Sequence, residues 1–252
     1  MKAKVSSSRP KAMRPSPTDS PDVVEALREA CEQCPAVGEE PDPNPWHPLL
    51  YEGLRDEGLP AVIEDGAITP GGSLWTGARL WTDAFRDTSL RAGDRLVLAL
   101  LPSTAFVQVL VAALWEGLTI AIATPRDDVE ALCDALDARA AVAPQSGPHT
   151  WTADTHAGPK TTPDALRPID TDPTPDVRFL LRTSGTTQLA RWIALSDRNV
   201  LSVLASHLPH LTLQSARVLS VLPWSHAFGL VLDLFPALLA GAEIIRDPEG
   251  GR

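Results

Sequence analysis

Apolar residues of this chain alternate, from residue 60 onward, between short continuous runs and longer stretches with helical spacing. The continuous runs predict buried strands at 61–63, 96–101, 119–123, 140–143, 178–183, 217–222 and 242–245. The helically spaced stretches predict helices at 74–85, 104–116, 129–136, 197–208 and 228–239. Strands that alternate with helices in this way indicate an α/β fold with mostly parallel sheets flanked by helices.

Residues near the helix ends support these boundaries. Ser103 is placed to cap the second of these helices, and either Asp127 or Asp128 is placed to cap the third. Asp197 is the predicted N-cap of the fourth helix. Pro236 predicts a kink in the last helix, because proline cannot donate the hydrogen bond of a helix interior.

Two segments interrupt the alternation. Residues 1–22 contain five Ser, four Pro and five basic residues against two Asp, which predicts a disordered tail, with a targeting peptide as the alternative. Residues 144–176 are rich in Pro, Thr, Asp and Gly and predict a long loop. We therefore expect one folded unit over residues 23–252 that contains this loop.

Cys31 and Cys34 form a CxxC pair on the apolar stripe of a predicted helix that begins near Val23. A zinc site needs four ligands, and no second pair lies nearby. A redox-active CxxC lies at a helix N-terminus, whereas this pair closes a helix before Pro35. We therefore interpret both thiols as core residues.

Composition narrows the class of protein without selecting a function. The 252 residues carry 22 Lys and Arg against 32 Asp and Glu, and the net charge of −10 argues against binding to nucleic acid or to anionic membranes. No apolar run reaches the roughly 20 residues that a membrane-spanning helix needs, and the N-terminus lacks the apolar core of a secretory signal. The 3 cysteines form no disulfide framework, which favours a reducing, cytoplasmic location.

The first segment with candidate chemistry is Thr183-Ser184-Gly185-Thr186-Thr187. It directly follows a predicted strand. Glycine lets the backbone approach an anion, and exposed N–H groups and hydroxyls can bind phosphate oxygens. Arg191, four residues further on, can add a planar cation. The P-loop pattern GxxxxGK(S/T) is absent, so composition leaves a phosphate-binding loop and an ordinary Ser/Thr connection as alternatives.

A second candidate site lies at the end of another predicted strand, in the sequence LPWSHAFGL at 222–230. In an open α/β sheet, ligands bind beyond the carboxyl ends of the strands, and both segments belong to that edge. His226, at the start of a predicted helix, is either structural or functional. It does not form a nucleophile elbow with Ser225, because GxSxG is missing.

In combination, these segments resemble the adenylate-forming acyl-CoA synthetases, or AMP-binding ligases. The phosphate loop of that family reads roughly (Y/F)TSGTTGxPKGV, and residues 182–193 read RTSGTTQLARWI. The next family motif, LPxxHxxGL, matches residues 222–230, and the upstream GDRVALLLPNSPEFV…GAVVVPLNP stretch is similar to 93–125. The resemblance extends from about residue 48 to residue 245.

The phosphate loop also departs from the family pattern. Gln188 replaces Gly, Ala190 replaces Pro, Arg191 replaces Lys and Trp192 replaces Gly. Arg191 keeps a positive charge without the compact geometry of an ammonium, and Gln188 is unfavourable if its position requires a positive φ. These departures put the strength of nucleotide binding in question.

The resemblance implies an enzyme that uses ATP and Mg²⁺ to convert a carboxylic acid, fatty or another acyl acid, into an acyl-adenylate. The thiol of CoA or of a carrier protein would then accept the acyl group. The residues that it assigns to the ATP phosphates are Thr183, Ser184, Gly185, Thr186, Thr187 and Arg191. The residues that it assigns to the substrate pocket are Trp224, His226, Phe228 and Gly229.

Only the first part of the family pattern is present. The YGxTE motif, whose Glu holds Mg²⁺, the Asp that binds the ribose and the catalytic Lys would all follow residue 252. We therefore expect the N-terminal half of a ligase domain, inactive by itself, with no complete catalytic set and no metal ligand of its own. A second polypeptide that supplies the rest is left open. The alternatives are a degenerate module that binds a nucleotide or a partner without catalysis, and an unrelated α/β binding domain.

Overall fold

The structure, a computed structural model, consists of two β-sheets and the helices that pack on them. It describes residues 23–34, 44–54, 58, 60–153, 158–163, 165–170, 172–173, 176–183, 191–213 and 216–246. The tail predicted at 1–22 lies outside these ranges. Within the described ranges, no helix is both long and apolar enough to cross a membrane.

The strands and helices are numbered in chain order. The strands are β1 (Ala61–Glu64), β2 (Ala67–Pro70), β3 (Arg95–Leu98), β4 (Thr119–Ile122), β5 (Ala140–Ala143), β6 (Thr150–Ala153), β7 (Pro159–Thr161), β8 (Phe179–Arg182), β9 (Trp192–Leu195), β10 (Arg217–Ser220) and β11 (Glu243–Arg246). The α-helices are α1 (Val23–Glu32), α2 (Trp46–Leu54), α3 (Gly71–Asp87), α4 (Thr104–Trp115), α5 (Val129–Leu136), α6 (Asp197–His207) and α7 (Phe235–Leu239). A 3₁₀ turn (Leu208–His210) follows α6, and a π-helical segment (Gly229–Leu234) precedes α7.

The larger sheet has the strand order β7-β6-β5-β3-β4-β8-β9. Its inner strands run parallel, and the edge strands β7 and β9 are antiparallel to their neighbours. Every residue of β4 and β5 is buried, which is why these strands read as continuous apolar runs. Helix α4 is buried from Thr104 to Leu114, so its apolar residues surround the whole helix.

The smaller sheet has the strand order β10-β11-β1-β2. Strands β10, β11 and β1 are parallel, and β2 returns antiparallel to β1. The turn between β1 and β2 places Asp65 and Gly66 at positive φ, a conformation that these two residue types tolerate well. The predicted α/β fold with mostly parallel sheets flanked by helices is therefore confirmed.

Several local predictions are corrected by the structure. Ser196, and not Asp197, caps α6: its hydroxyl oxygen accepts a hydrogen bond from the Asn199 N–H at 3.2 Å, while the Asn199 side chain accepts one from the Ser196 N–H at 3.0 Å. The last predicted helix is interrupted by the π-helical segment, and Pro236 lies in the first turn of α7, where no donor is needed. The predicted cap of α5 is confirmed, because Asp128, one of the two candidates, accepts a hydrogen bond from the Ala131 N–H at 3.1 Å.

Some strands lie where the sequence predicted none. Strands β6 and β7 fall within 144–176, so a loop is the wrong description for these residues. Strands β2 and β9 are further examples, and their partial exposure is typical of edge strands. Such strands escape detection because segments of three or four residues are too short for a clear apolar pattern and acquire strand structure by pairing with a neighbouring strand.

A buried ion pair fastens helix α6 to the larger sheet. Arg178 precedes β8, and its Nε and Nη2 donate to the two carboxylate oxygens of Asp197, each at 2.9 Å. The third nitrogen, Nη1, donates to the Leu118 carbonyl at 2.9 Å, and the Trp46 indole donates to Asp197 at 2.5 Å. Because the pair is almost fully buried, these additional partners are needed to offset its desolvation.

Cys31, in α1, and Cys34, just after it, both contact the apolar core. Cys34 is buried and Cys31 packs against the same apolar cluster. Burial, with the nearby charge of Asp197, raises the pKa of the Cys34 thiol to about 12. A redox-active thiol needs a lowered pKa, so the raised pKa of Cys34 agrees with its interpretation as a core residue.

The turn after β10 is built on a close backbone approach. A Cβ added to Gly229 would lie 2.2 Å from the Pro223 carbonyl oxygen, so only glycine fits at this position. Within the turn, the His226 N–H donates to the Pro223 carbonyl at 3.2 Å. Gly229 therefore allows the chain to reverse direction tightly before the π-helical segment.

We expect Asp197→Ala to lower the free energy of unfolding by about 3–5 kcal/mol, because the substitution leaves a buried guanidinium without its charged partner. Urea denaturation followed by tryptophan fluorescence measures this loss. Glu25→Ala removes an exposed ion pair with Arg28 and serves as the control, with an expected change of about 0.5 kcal/mol or less. Equal effects of the two substitutions would contradict the structural role of the buried pair.

Gly229→Ala should cost about 1–3 kcal/mol of stability, because the new methyl group forces the backbone of the turn apart. The matched control is Gly53→Ala in α2, where an added Cβ meets its nearest atoms at 3.9 Å. That substitution should be neutral or stabilising, since alanine favours a helix. Thermal unfolding of both variants distinguishes close approach from a general effect of replacing glycine.

Candidate functional site

A cleft of about 580 Å³ lies between the β8–β9 hairpin and the turn that follows β10. The hairpin belongs to the larger sheet and the turn to the smaller one, so the cleft joins the two. Most of its wall is apolar, and its polar members are Arg182, Thr183 and His226. The complete lining is Leu181, Arg182, Thr183, Ile193, Leu195, Leu222, Pro223, His226, Ala227, Phe228 and Gly229.

The described part of the predicted phosphate loop is its base. The Thr183 N–H donates to the Arg191 carbonyl at 2.9 Å, which extends the β8–β9 pairing by one step. Thr183 lines the cleft, and Arg191 is exposed. The remaining predicted phosphate-binding residues, Ser184, Gly185, Thr186 and Thr187, lie outside the described residues.

Three of the four predicted pocket residues line the cleft. His226 and Phe228 are exposed, with 64% of the Phe228 surface accessible, and Gly229 is buried at the start of the π-helical segment. The Leu230 N–H donates to the His226 carbonyl at 2.9 Å, and the imidazole of His226 is the polar side chain that the turn contributes to the cleft lining. An exposed aromatic ring beside a polar imidazole is suited to contacts with an organic ligand.

Trp224 does not line the cleft, and its assignment to the substrate pocket is corrected. Its side chain is fully buried and packs on the Phe106 ring at 5.3 Å between centroids. The guanidinium of Arg246 lies 5.1 Å from its ring centroid. The turn directs this large ring into the core, where it contributes packing, and leaves His226 and Phe228 on the surface.

A buried polar network beneath the turn was not detected in the sequence. The Trp224 indole donates to the Ser220 hydroxyl oxygen at 3.0 Å, and the Ser220 hydroxyl donates to Asp233 at 2.5 Å. Arg246 donates to the Ser220 carbonyl at 2.8 Å. Burial raises the pKa of the Asp233 carboxyl, and the hydrogen bond from Ser220 partly opposes this shift. The network joins β10, β11 and the π-helical segment under the cleft.

A second undetected group lies at the base of the hairpin. Arg182 Nη1 donates to the Asp127 carboxylate at 2.5 Å, and the same carboxylate accepts two hydrogen bonds from Thr124, from its N–H and its hydroxyl. Partial burial raises the pKa of Asp127, but the bonds from Thr124 and Arg182 outweigh it and lower the pKa overall. The sequence signal was Arg182 itself, which stands where the family motif has an aromatic residue.

The described residues offer no ready-made cluster of metal-binding side chains. They contain no group of three or more His, Cys, Asp or Glu side chains arranged to hold a metal ion. The carboxylates near the cleft, Asp127 and Asp233, are each engaged by other side chains. Both carboxylates therefore already have side-chain partners, and neither is an open ligand for Mg²⁺.

Comparison with solved structures identifies the fold. The chain is similar to IdnL1, with a TM-score of 0.64 and 22% identity over 80% of this chain and 44% of that one. It is similar to O-succinylbenzoate CoA synthetase (MenE) from Bacillus subtilis in complex with the acyl-adenylate intermediate OSB-AMP, with a TM-score of 0.60 and 17% identity over 79% of this chain and 55% of that one. The chain is also similar to ATP-bound MatB from Rhodopseudomonas palustris, with a TM-score of 0.63 and 17% identity over 78% of this chain and 44% of that one. The chain thus spans about half the length of these proteins.

Sequence comparison identifies the family. A search among curated proteins found no matching relative. The family model for AMP-binding enzymes matches residues 60–249, which include both walls of the cleft and most of the two sheets. With three quarters of its length matched, the chain belongs to the family of AMP-binding enzymes.

Proposed function

We propose that the protein to which this chain belongs activates a carboxylic acid with ATP. The carboxylate oxygen attacks the α-phosphorus of ATP, the bond to the β-phosphate oxygen breaks, and acyl-adenylate and pyrophosphate are formed. The observation that carries the proposal is the cleft in which Thr183 and the His226 turn, two separate family motifs, face each other. Family membership and the ATP and acyl-adenylate in similar structures support it.

The phosphate end of the site is assigned to the hairpin. Thr183 and Arg191 lie on the two sides of its base, linked by a hydrogen bond. Ser184, Gly185, Thr186 and Thr187 follow Thr183 and complete the proposed set. Backbone N–H groups, hydroxyls and the guanidinium would hold the β- and γ-phosphates, so that pyrophosphate is positioned and its charge stabilised as it leaves.

The acyl end of the site is assigned to the turn after β10. Phe228, Ile193 and Leu222 give this part of the cleft an apolar wall, which suits the hydrocarbon portion of a fatty or other acyl acid. His226 lines the cleft beside this apolar wall, and it can donate a hydrogen bond to the carboxylate or the α-phosphate. Gly229 contributes by allowing the turn, and Trp224 by anchoring it.

A second step, transfer of the acyl group to a thiol, completes the proposal. The thiol of CoA or of a carrier protein attacks the carbonyl carbon of the adenylate, and AMP leaves as the thioester forms. Mg²⁺ would neutralise phosphate charge when ATP is bound. The groups that hold the ion are assigned to a part of the protein other than the described residues. We place the reaction in the cytoplasm, where free thiols such as Cys31 stay reduced.

Arg191→Ala should weaken ATP binding by about tenfold or more, because a charge-assisted contact to phosphate is lost. Titration calorimetry of the purified chain with ATP measures the change. Arg28→Ala, which removes an exposed arginine of α1 away from the cleft, is the control and should bind ATP as the parent chain does. Unchanged affinity of the Arg191 variant would remove this residue from the site.

The reaction itself is tested by ATP–pyrophosphate exchange. We expect the full-length protein to exchange labelled pyrophosphate into ATP only when a suitable carboxylic acid is present, and to favour acids with an apolar chain because of the cleft wall. Acetate, octanoate, benzoate and succinate sample the relevant chemistry. Failure of a wider panel of acids to support exchange, in a protein that binds ATP, would overturn the catalytic part of the proposal and leave a nucleotide-binding module.

A further inference from the structure

Arg182 and Trp192 form a cross-strand pair at the base of the hairpin. They are the last residue of β8 and the first of β9, and they pair directly in the antiparallel register. The Arg182 guanidinium lies 5.8 Å from the centroid of the Trp192 ring, which is within the range of a cation–π contact. The next residues outward on the two strands are Thr183 and Arg191, the described members of the proposed phosphate site.

Asp127 holds the guanidinium from the other side. It follows β4, the parallel neighbour of β8, so its loop lies at the same carboxyl edge of the sheet. Arg182 donates to one Asp127 oxygen at 2.5 Å, and Thr124 donates to the other oxygen twice, each time at 2.8 Å. Thr124 therefore orients the carboxylate that accepts from Arg182, and the contacts on two sides restrict the guanidinium.

Partial burial strengthens this arrangement. The Asp127 side chain is 18% exposed and the Arg182 side chain is 36% exposed. A charge pair at this depth is less screened than an exposed pair, and an arginine plane can contact a carboxylate and an aromatic face at the same time. Lysine, a point charge on a flexible stem, would make only the first of these contacts well.

Both members of the pair are departures from the family motif. The motif has an aromatic residue at position 182 and glycine at position 192, whereas this chain has arginine and tryptophan. The aromatic ring thus stands on the opposite strand, and an arginine takes the place that faces it. Because the two unusual residues contact each other, they are better explained as one coupled exchange than as two independent losses.

We propose that Arg182, Trp192 and Asp127 form a latch that positions Thr183 and Arg191 for phosphate binding. Its three members are positioning residues: they set the separation and orientation of the two strand ends from which the phosphate contacts extend. The inference rests on the proposed function, because it concerns the same nucleotide. In this chain Trp192 supports nucleotide binding, although the motif has glycine at that position.

A double-mutant cycle tests the coupling. The variants are Arg182→Tyr, Trp192→Gly and the combination, which restores the motif residues at both positions. Calorimetric titration with ATP, and separately with inorganic tripolyphosphate, gives the affinity of each variant. We expect each single substitution to weaken binding by about tenfold and the double variant to weaken it little further, because either single substitution already breaks the Arg182–Trp192 contact.

Conservative variants separate positioning from folding. Asp127→Asn removes the negative charge with little change of shape, and Arg182→Lys keeps the positive charge without the planar group. Both substitutions should weaken the binding of ATP and tripolyphosphate, and the lysine substitution should weaken it less. Arg217→Lys alters an exposed arginine–carboxylate pair of the smaller sheet and should leave the affinity unchanged. Weakened binding in Arg217→Lys of the same size as in Arg182→Lys would overturn the specific role of the latch.

Hydrogen exchange provides a readout that does not depend on ligand binding. Peptides that span 179–183 and 191–195 should exchange faster in both single variants, and the double variant should exchange little faster than either single variant. If the parent chain binds neither ATP nor tripolyphosphate, the proposed function fails, and unchanged exchange in the single variants would then overturn the latch as well. Additive losses of affinity in the double variant, or faster exchange without any loss of affinity in the single variants, would overturn the positioning role.

Discussion

The buried pair of Arg178 and Asp197 is the contact on which the arrangement of the larger sheet and α6 depends. It joins the residue before β8 to the first residue of α6, across the hairpin that carries the candidate phosphate site. Trp46 on α2 and the Leu118 carbonyl before β4 bind the same pair. Removing a single partner would leave a charge in the core, so these elements are held together and provide a rigid support for the hairpin.

The cleft combines exposed groups with buried anchors. His226 and Phe228 reach the surface because Trp224, two residues before His226, is inserted into the core and bonded to Ser220. The network around Ser220 ties the turn to the smaller sheet, just as the ion pair at Asp197 ties the hairpin to the larger one. A site built between two anchored elements can present polar groups to a ligand without losing its geometry.

The sequence by itself determined the fold class and indicated the two segments that form the candidate site. Strands such as β4 and β5, buried on both faces, must be apolar at nearly every position, and this makes them visible as continuous runs. The cap of α4 is also visible in the local sequence. The Ser103 hydroxyl oxygen accepts a hydrogen bond from the Phe106 N–H at 3.1 Å. The family motifs likewise located the hairpin and the turn, because the motif residues are neighbours in sequence.

Only the tertiary structure decided which side chains meet and which way they point. Nothing local shows that Trp224 is directed inward while Phe228 is exposed, because both are aromatic residues of one turn. Asp127 and Arg182 are 55 positions apart, and only the pairing of β4 with β8 brings them together. Aspartate is a residue type that commonly caps helices, yet Asp197 is instead the buried ion-pair partner of Arg178. Periodicity reports burial along one segment, whereas contacts between segments depend on strand order, which the pattern alone does not contain.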